Sequence, residues 1–206
     1  MLFDFAKIPM KNGYKLLAST ITPRPIAWIV SQDAKGILNA APFSFFNAFA
    51  ADPPIVGIGI AGRSSGNHKD TRANVAATRE FVVNLVSESN ATAMNTTALD
   101  FDPHIDELAE AGLTAAPSIH VKPPRIAESP VAMECALYQI IDFSPTSSLV
   151  LGRVLAMHVA DEAVVNADNA YIDTPKLQLI GRMHGAAWYT RCTDLFELPR
   201  PAMPKR

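Results

Sequence analysis

The sequence predicts a mainly β protein, with about six twisted strands closing into a barrel and few helices. Three observations predict it. Apolar runs of strand length recur at hairpin-compatible spacing, prolines and small polar residues punctuate them, and helical periodicity is short and weak. At 206 residues, 49% of them hydrophobic and 18% charged, the chain can bury a real core and is expected to form one domain over 1–206.

Residues 1–18 read as a short lead-in whose Ile8, Tyr14, Leu16 and Leu17 can cover a sheet edge. Thr22-Pro23-Arg24-Pro25 then fixes an extended entry, so the apolar run 26–31 starts a strand rather than a helix. Asp33-Ala34-Lys35-Gly36 supplies turn chemistry for a hairpin. The partner strand, 37–44, carries Pro42, which cannot donate to a ladder and marks an edge or a bulge. Phe43, Phe45, Phe46 and Phe49 follow as a core cluster. Residues 55–61 alternate Gly with Ile, the period of a strand approached closely on one face.

Asp70 or Thr71 is placed to cap a helix ending near Thr78. A strand over 81–86 comes next. Residues 87–112 have helical texture and end on Gly112, a C-cap glycine. The proline-rich 117–130 reads as an extended surface segment, and 131–143 with 149–159 as a long hairpin turning at Ser144-Pro145-Thr146-Ser147. The chain is irregular beyond Asp168 until 177–189, which carries Gly181, Arg182, His184, Gly185 and Trp188.

Charge and composition exclude several functions. A net charge of −2 gives no electrostatic case for nucleic acid or an anionic membrane. Cys135 and Cys192 lack metal-like spacing and read as free thiols of a reducing compartment. The first residues have no basic region followed by an apolar stretch, and no apolar run approaches the ~20 residues that span a bilayer. A cytoplasmic protein is expected. The five histidines are too scattered for a metal site, and no residue stands out as a dedicated acid or base.

Two familiar patterns adjoin the third strand. Gly57-Ile58-Gly59-Ile60-Ala61-Gly62 matches the dinucleotide fingerprint G-x-G-x-x-G, but lacks a full strand before it and a helix opening inside it. Gly62-Arg63-Ser64-Ser65-Gly66 matches the nucleophile elbow G-x-S-x-G, with Asp161 and His184 as nominal partners for Ser64. That serine hydrolase reading lacks the βα alternation of a parallel sheet and stands as an alternative. A third reading makes the same loop a phosphate site. Arg63, Ser64, Ser65, Asn67, Lys69 and Thr71 surround a helix start, whose amides and dipole favour an anion.

The motifs in order decide among these. Pro23-Arg24-Pro25, Asn39-Ala40-Ala41-Pro42-Phe43-Ser44-Phe45-Phe46, Asp52-Pro53-Pro54 and Lys69-Asp70-Thr71 are followed by Glu80-Phe81-Val82-Val83-Asn84, Glu134-Cys135, Gly152-Arg153-Val154 and Gly181-Arg182 with Trp188-Tyr189. Over about residues 14–190 the chain resembles the flavin reductase-like family of FMN-binding split barrels. It departs at Arg153, where an acidic residue is common, and at His184, in a turn more often rich in glycine.

The resemblance implies a six-stranded antiparallel split β-barrel of Greek-key type with a few peripheral helices. It also implies a homodimer with FMN near the interface. The activity it implies is that of an NAD(P)H-dependent flavin reductase, with NADH or NADPH as donor and possible supply of reduced flavin to a partner monooxygenase. The alternative is an FMN electron carrier without free-flavin reductase activity. The flavin would lie along Asn39, Ala41, Pro42, Phe43, Ser44 and Phe45. Lys69, Asp70 and Thr71, with Arg63, Ser64 and Asn67, would hold its phosphate, Arg24 would add a second charge, and His184 would lie near the ring. Of Phe43 and Phe45, one is expected to pack the core. No catalytic side chain is expected, because hydride transfer belongs to the cofactors.

Overall fold

The computed structural model describes residues 1–62, 68–102 and 104–202. Seven strands form the main sheet: β1 (Ala27–Gln32), β2 (Leu38–Phe43), β3 (Phe46–Ala51), β4 (Pro54–Ala61), β5 (Glu80–Leu85), β6 (Val131–Ser144) and β7 (Ser147–Val159). Their order is β2-β1-β5-β6-β7-β4-β3, and every pairing is antiparallel. β2 and β3 hold opposite edges of that order, yet only Ser44 and Phe45 separate them in the chain. So short a connection reaches roughly 11 Å at most. The sheet must therefore curl until its edges approach. This is the expected split barrel, with seven strands in place of six.

The extra strand is β3. Its sequence, Phe-Asn-Ala-Phe-Ala-Ala, shows no alternation because an edge strand here buries almost nothing, and Phe49 is 60% exposed. Two glycines of β4 answer to aromatic neighbours. A Cβ on Gly57 would lie 2.5 Å from the Phe49 ring, and one on Gly59 would lie 2.9 Å from Phe45 Cβ. The Gly59 N–H also donates to the Phe45 carbonyl at 2.7 Å, tying the β2–β3 corner to β4. The Gly-x-Gly pattern thus records close packing inside a continuous strand, and the dinucleotide reading falls.

β1 is buried on both faces. Ala27 and Ile29 point into the barrel with Phe43, Phe81, Val83 and Met133, while Trp28 and Val30 point outward beneath Met94, Leu108 and Ile126. Trp28 Nε1 donates to Thr97 Oγ1 at 2.9 Å, which fixes the end of α3 (Ala91–Thr96) over the sheet. The 87–112 stretch is broken into a short 3₁₀ turn, α3 and α4 (Glu107–Glu110), and Gly112 takes φ +67° just past α4. A glycine there closes the helix without a Cβ penalty.

Two other expectations change. The lead-in contains a helix, α1 (Met10–Thr20), whose Met, Lys, Leu and Ala residues favour that state. α2 spans Asp70–Thr78 with Lys69 as N-cap, so neither Asp70 nor Thr71 caps it; the Thr71 side chain turns inward to β2 instead.

Candidate functional site

The site grows from the free edge of β2. Ala40 gives its N–H to Glu107 Oε2 at 2.7 Å rather than to β1. In an antiparallel ladder the backbone groups of successive residues point alternately to either side. Those of Ala40 and Pro42 therefore face off the open edge. Pro42 stands where a donor would otherwise be stranded, as its expected edge placement requires. Two carbonyls remain there as acceptors.

The start of α2 is bolted to this edge. Thr71 is 1% exposed, and its hydroxyl donates to Asn39 Oδ1 at 2.7 Å. Ser31 Oγ reaches the same Asn39 oxygen at 3.4 Å. Lys69 Nζ lies 5.9 Å from the centre of the Phe43 ring. Between strand and helix is a cavity of about 110 Å³ lined by Asn39, Ala41, Pro42, Lys69, Asp70 and Thr71, with Thr97, Ala98, Leu99, Asp100 and Glu107 completing the wall. Six of the sequence-derived residues thus converge on one space.

Glu107 is the member that the sequence reading missed. It is 6% exposed and lines the cavity from the first position of α4. Burial pushes its carboxyl up to about 7, against hydrogen bonds from the Ala40 N–H and the Asn39 side chain that favour the charged form. Asp70 raises it further and Lys69 lowers it. In the sequence it is one acid among several, with Asp106 and Glu110 close by.

The other end of β2 gathers a second group. Arg24, 6% exposed, donates to the carbonyls of Ala18 (2.5 Å), Ile21 (2.8 Å) and Met183 (3.0 Å), and its Nε reaches Ser44 Oγ at 3.3 Å. Its donors therefore clamp α1, the strand corner and the turn after residue 182. These contacts hold the guanidinium, the expected second charge for phosphate, beside Ser44 at the end of β2. The Phe45 ring lies over the same guanidinium at 5.9 Å, stacks on Tyr14 and is 43% exposed, whereas Phe43 is 7% exposed. One phenylalanine packs the core and the other faces outward, as expected.

His184 sits in the turn between β8 (Ile180–Arg182) and β9 (Tyr189–Arg191). Arg182 knits that turn through the carbonyls of Gly185, Ala186 and Trp188. His184 is exposed and stacks on Trp188 at 6.0 Å. Arg63, Ser64 and Asn67 lie outside the described residues. The hydrolase reading of Ser64 has lost its scaffold, since each pairing of the main sheet is antiparallel. A wider cleft of about 590 Å³, lined by Ser87, Arg125, Glu128, His158 and Lys176 among others, contains none of the sequence-derived residues. Among the described residues no group of His, Cys, Asp and Glu is placed to hold a metal ion.

Comparison with known proteins gives the geometry its relatives. Residues 19–175 match the model of the flavin reductase like domain. A Deinococcus radiodurans protein of uncharacterized function is 38% identical over 202 residues, covering 96% of this chain and 88% of its own length. Nitrilotriacetate monooxygenase component B from Bacillus cereus superposes with a TM-score of 0.90 at 33% identity, over 96% of this chain and 98% of that one. The 2-nitrobenzoate 2-nitroreductase of Pseudomonas fluorescens superposes with a TM-score of 0.89 at 35% identity, over 98% and 96%.

Proposed function

The chain belongs to the flavin reductase-like family, and on that footing we propose that it is an FMN-binding, NAD(P)H-dependent oxidoreductase. The observation that carries this reading is the cavity joining the β2 edge to the start of α2. Lys69 and the first-turn amides of α2, that of Thr71 among them, hold the FMN phosphate, while the Thr71 hydroxyl donates to Asn39 and braces the helix start. A space of about 110 Å³ suits a phosphate and its nearest carbons, not a whole flavin. The ring system therefore lies outside it along β2, where the Ala40 and Pro42 carbonyls supply acceptors and Phe45 an apolar face. FMN, when bound, supplies the hydride-accepting chemistry, and the protein supplies position and electrostatics.

The ring needs a second wall. Phe49, Tyr138, Phe143, Met157 and Trp188 are each more than half exposed, and a homodimer with the flavin near its interface would cover side chains of this kind. His184, held in its turn by Arg182, is a candidate contact from that direction. Among the described residues no helix is long and apolar enough to cross a membrane. A single cytoplasmic flavin domain, able to pass reduced flavin to a partner monooxygenase, fits the likeness to a monooxygenase component B.

The likeness to a nitroreductase favours a second reading, in which the bound flavin passes its electrons directly to an organic acceptor. One experiment separates these. The absorption spectrum of the FMN-loaded protein is recorded anaerobically before and after NADH or NADPH, then again after free flavin or 2-nitrobenzoate. Bleaching by a nicotinamide and reoxidation by free flavin supports the reductase. Reoxidation by 2-nitrobenzoate alone supports the second reading. Bound flavin that neither donor reduces would leave an electron carrier.

A further inference from the structure

The phosphate cavity holds a carboxyl that should not be there. Glu107, Asp70 and Asp100 line it together with a single described cation, Lys69. Glu107 also borders an adjoining cavity of about 180 Å³ lined by Asp33, Asp70 and Asp102. Among the described residues, the charged groups lining these two cavities with it are Lys69 and Asp70 from the start of α2, Asp33 from the β1–β2 turn, and Asp100 and Asp102 from the segment after α3. Its own helix adds Asp106, which is spent capping the Leu108 and Ala109 amides. A dianionic phosphate entering this space meets the buried carboxylate of Glu107. The pair is tolerable only if one of the two gives up its charge.

We propose that Glu107 couples FMN binding to proton uptake: its carboxyl takes one proton from solvent as the flavin phosphate enters the cavity it shares with Lys69. Oε2 remains the acceptor of the Ala40 N–H, and the proton goes to Oε1, so β2 keeps its register while the cavity loses a negative charge. Glu107 titrates near neutrality already, which places the coupling in the range where cells work. The inference rests on the FMN reading and deepens it, by making the affinity of the site respond to pH through a residue of this chain.

The test compares FMN with riboflavin, which lacks the phosphate, in the full-length protein and in Glu107→Gln. Affinities are measured by flavin fluorescence from about pH 6 to about pH 8.5. FMN's own second ionisation near pH ~6 strengthens its binding with rising pH in both proteins. Taking the difference between them removes it. In the unsubstituted protein the FMN-to-riboflavin affinity ratio should fall by about tenfold per pH unit above pH ~7, relative to Glu107→Gln. Calorimetry near pH ~8 in two buffers of different ionisation enthalpy should show uptake approaching one proton per FMN and none per riboflavin. Identical pH profiles in the two proteins, or FMN binding without proton uptake, overturn the inference while flavin binding itself stands. If neither flavin binds at any pH, the cofactor reading fails and the inference with it. Should Glu107→Gln not fold, the calorimetry on the unsubstituted protein decides alone.

Discussion

Glu134 and Glu107 are both buried carboxyls, and the protein treats them in opposite ways. Glu134, on β6, is fully buried and accepts from the Ile119 N–H at 2.9 Å, the His120 N–H at 2.6 Å and His158 Nε2 at 2.6 Å. Burial pushes its carboxyl up, but the His120 amide, His158 and the Ile119 amide more than offset that, and it stays below the usual carboxylate range. Glu107 accepts from the Ala40 N–H and the Asn39 side chain, faces Asp70 across a cavity, and is pushed up to about 7. Depth alone therefore does not set the charge of a buried carboxyl; the hydrogen bonds it accepts and the groups around it do.

The difference breaks most visibly at Glu134. Glu134→Gln removes the charge and turns an amide group toward two backbone N–H donors. It should destabilise the fold by roughly 3–5 kcal/mol at neutral pH, measured by urea unfolding. Its sign with pH is that of a depressed acid. The stabilisation from Glu134 is present above the unfolded value near 4.5 and is lost as pH falls through the folded one. A Gln variant as stable as the parent would mean that the 117–120 segment does not depend on this carboxylate.

The fold and the site were legible in the sequence in part, and not evenly. Pro42 marked β2 as an edge or a bulge, and Lys69-Asp70-Thr71 marked a helix start, because proline lacks a donor and helix starts carry a chemical signature. β3 was not legible, since an exposed edge strand has no alternation to read. Arg24 was visible as a motif residue but its task was not. Only the folded chain brings Ala18, Ile21, Ser44 and Met183 around one guanidinium. Glu107 hid for a related reason. An acid in a first helical turn is ordinary, and nothing local says that β2 and α2 will close over it.

Glu107 should show the opposite sign. Its folded value is raised, so the stabilisation relative to a neutral side chain is complete below pH ~4.5 and is lost as pH rises toward about 7. Over that window the stability of the parent minus that of Glu107→Gln should fall by up to about 3 kcal/mol. Urea unfolding at several pH values checks it, and a difference that stays constant would return Glu107 to the same class as Glu134.

A smaller effect sharpens the site itself. Lys69→Ala should weaken FMN by about tenfold to hundredfold, the ~1.5–3 kcal/mol of a charge-assisted hydrogen bond, and leave riboflavin nearly unchanged. Equal loss for both flavins would mean that Lys69 shapes the Phe43 wall rather than holding an anion.

The central claim is that the cavity between the β2 edge and the start of α2 is a flavin phosphate site. Parallel titration of the purified protein with FMN, riboflavin and FAD tests it most directly, read by the absorption and fluorescence of the bound flavin. The account predicts FMN bound at micromolar concentration or tighter with a shifted spectrum, riboflavin weaker, and FAD no tighter than FMN. Riboflavin binding as tightly as FMN, or no FMN bound at micromolar concentration, would contradict it.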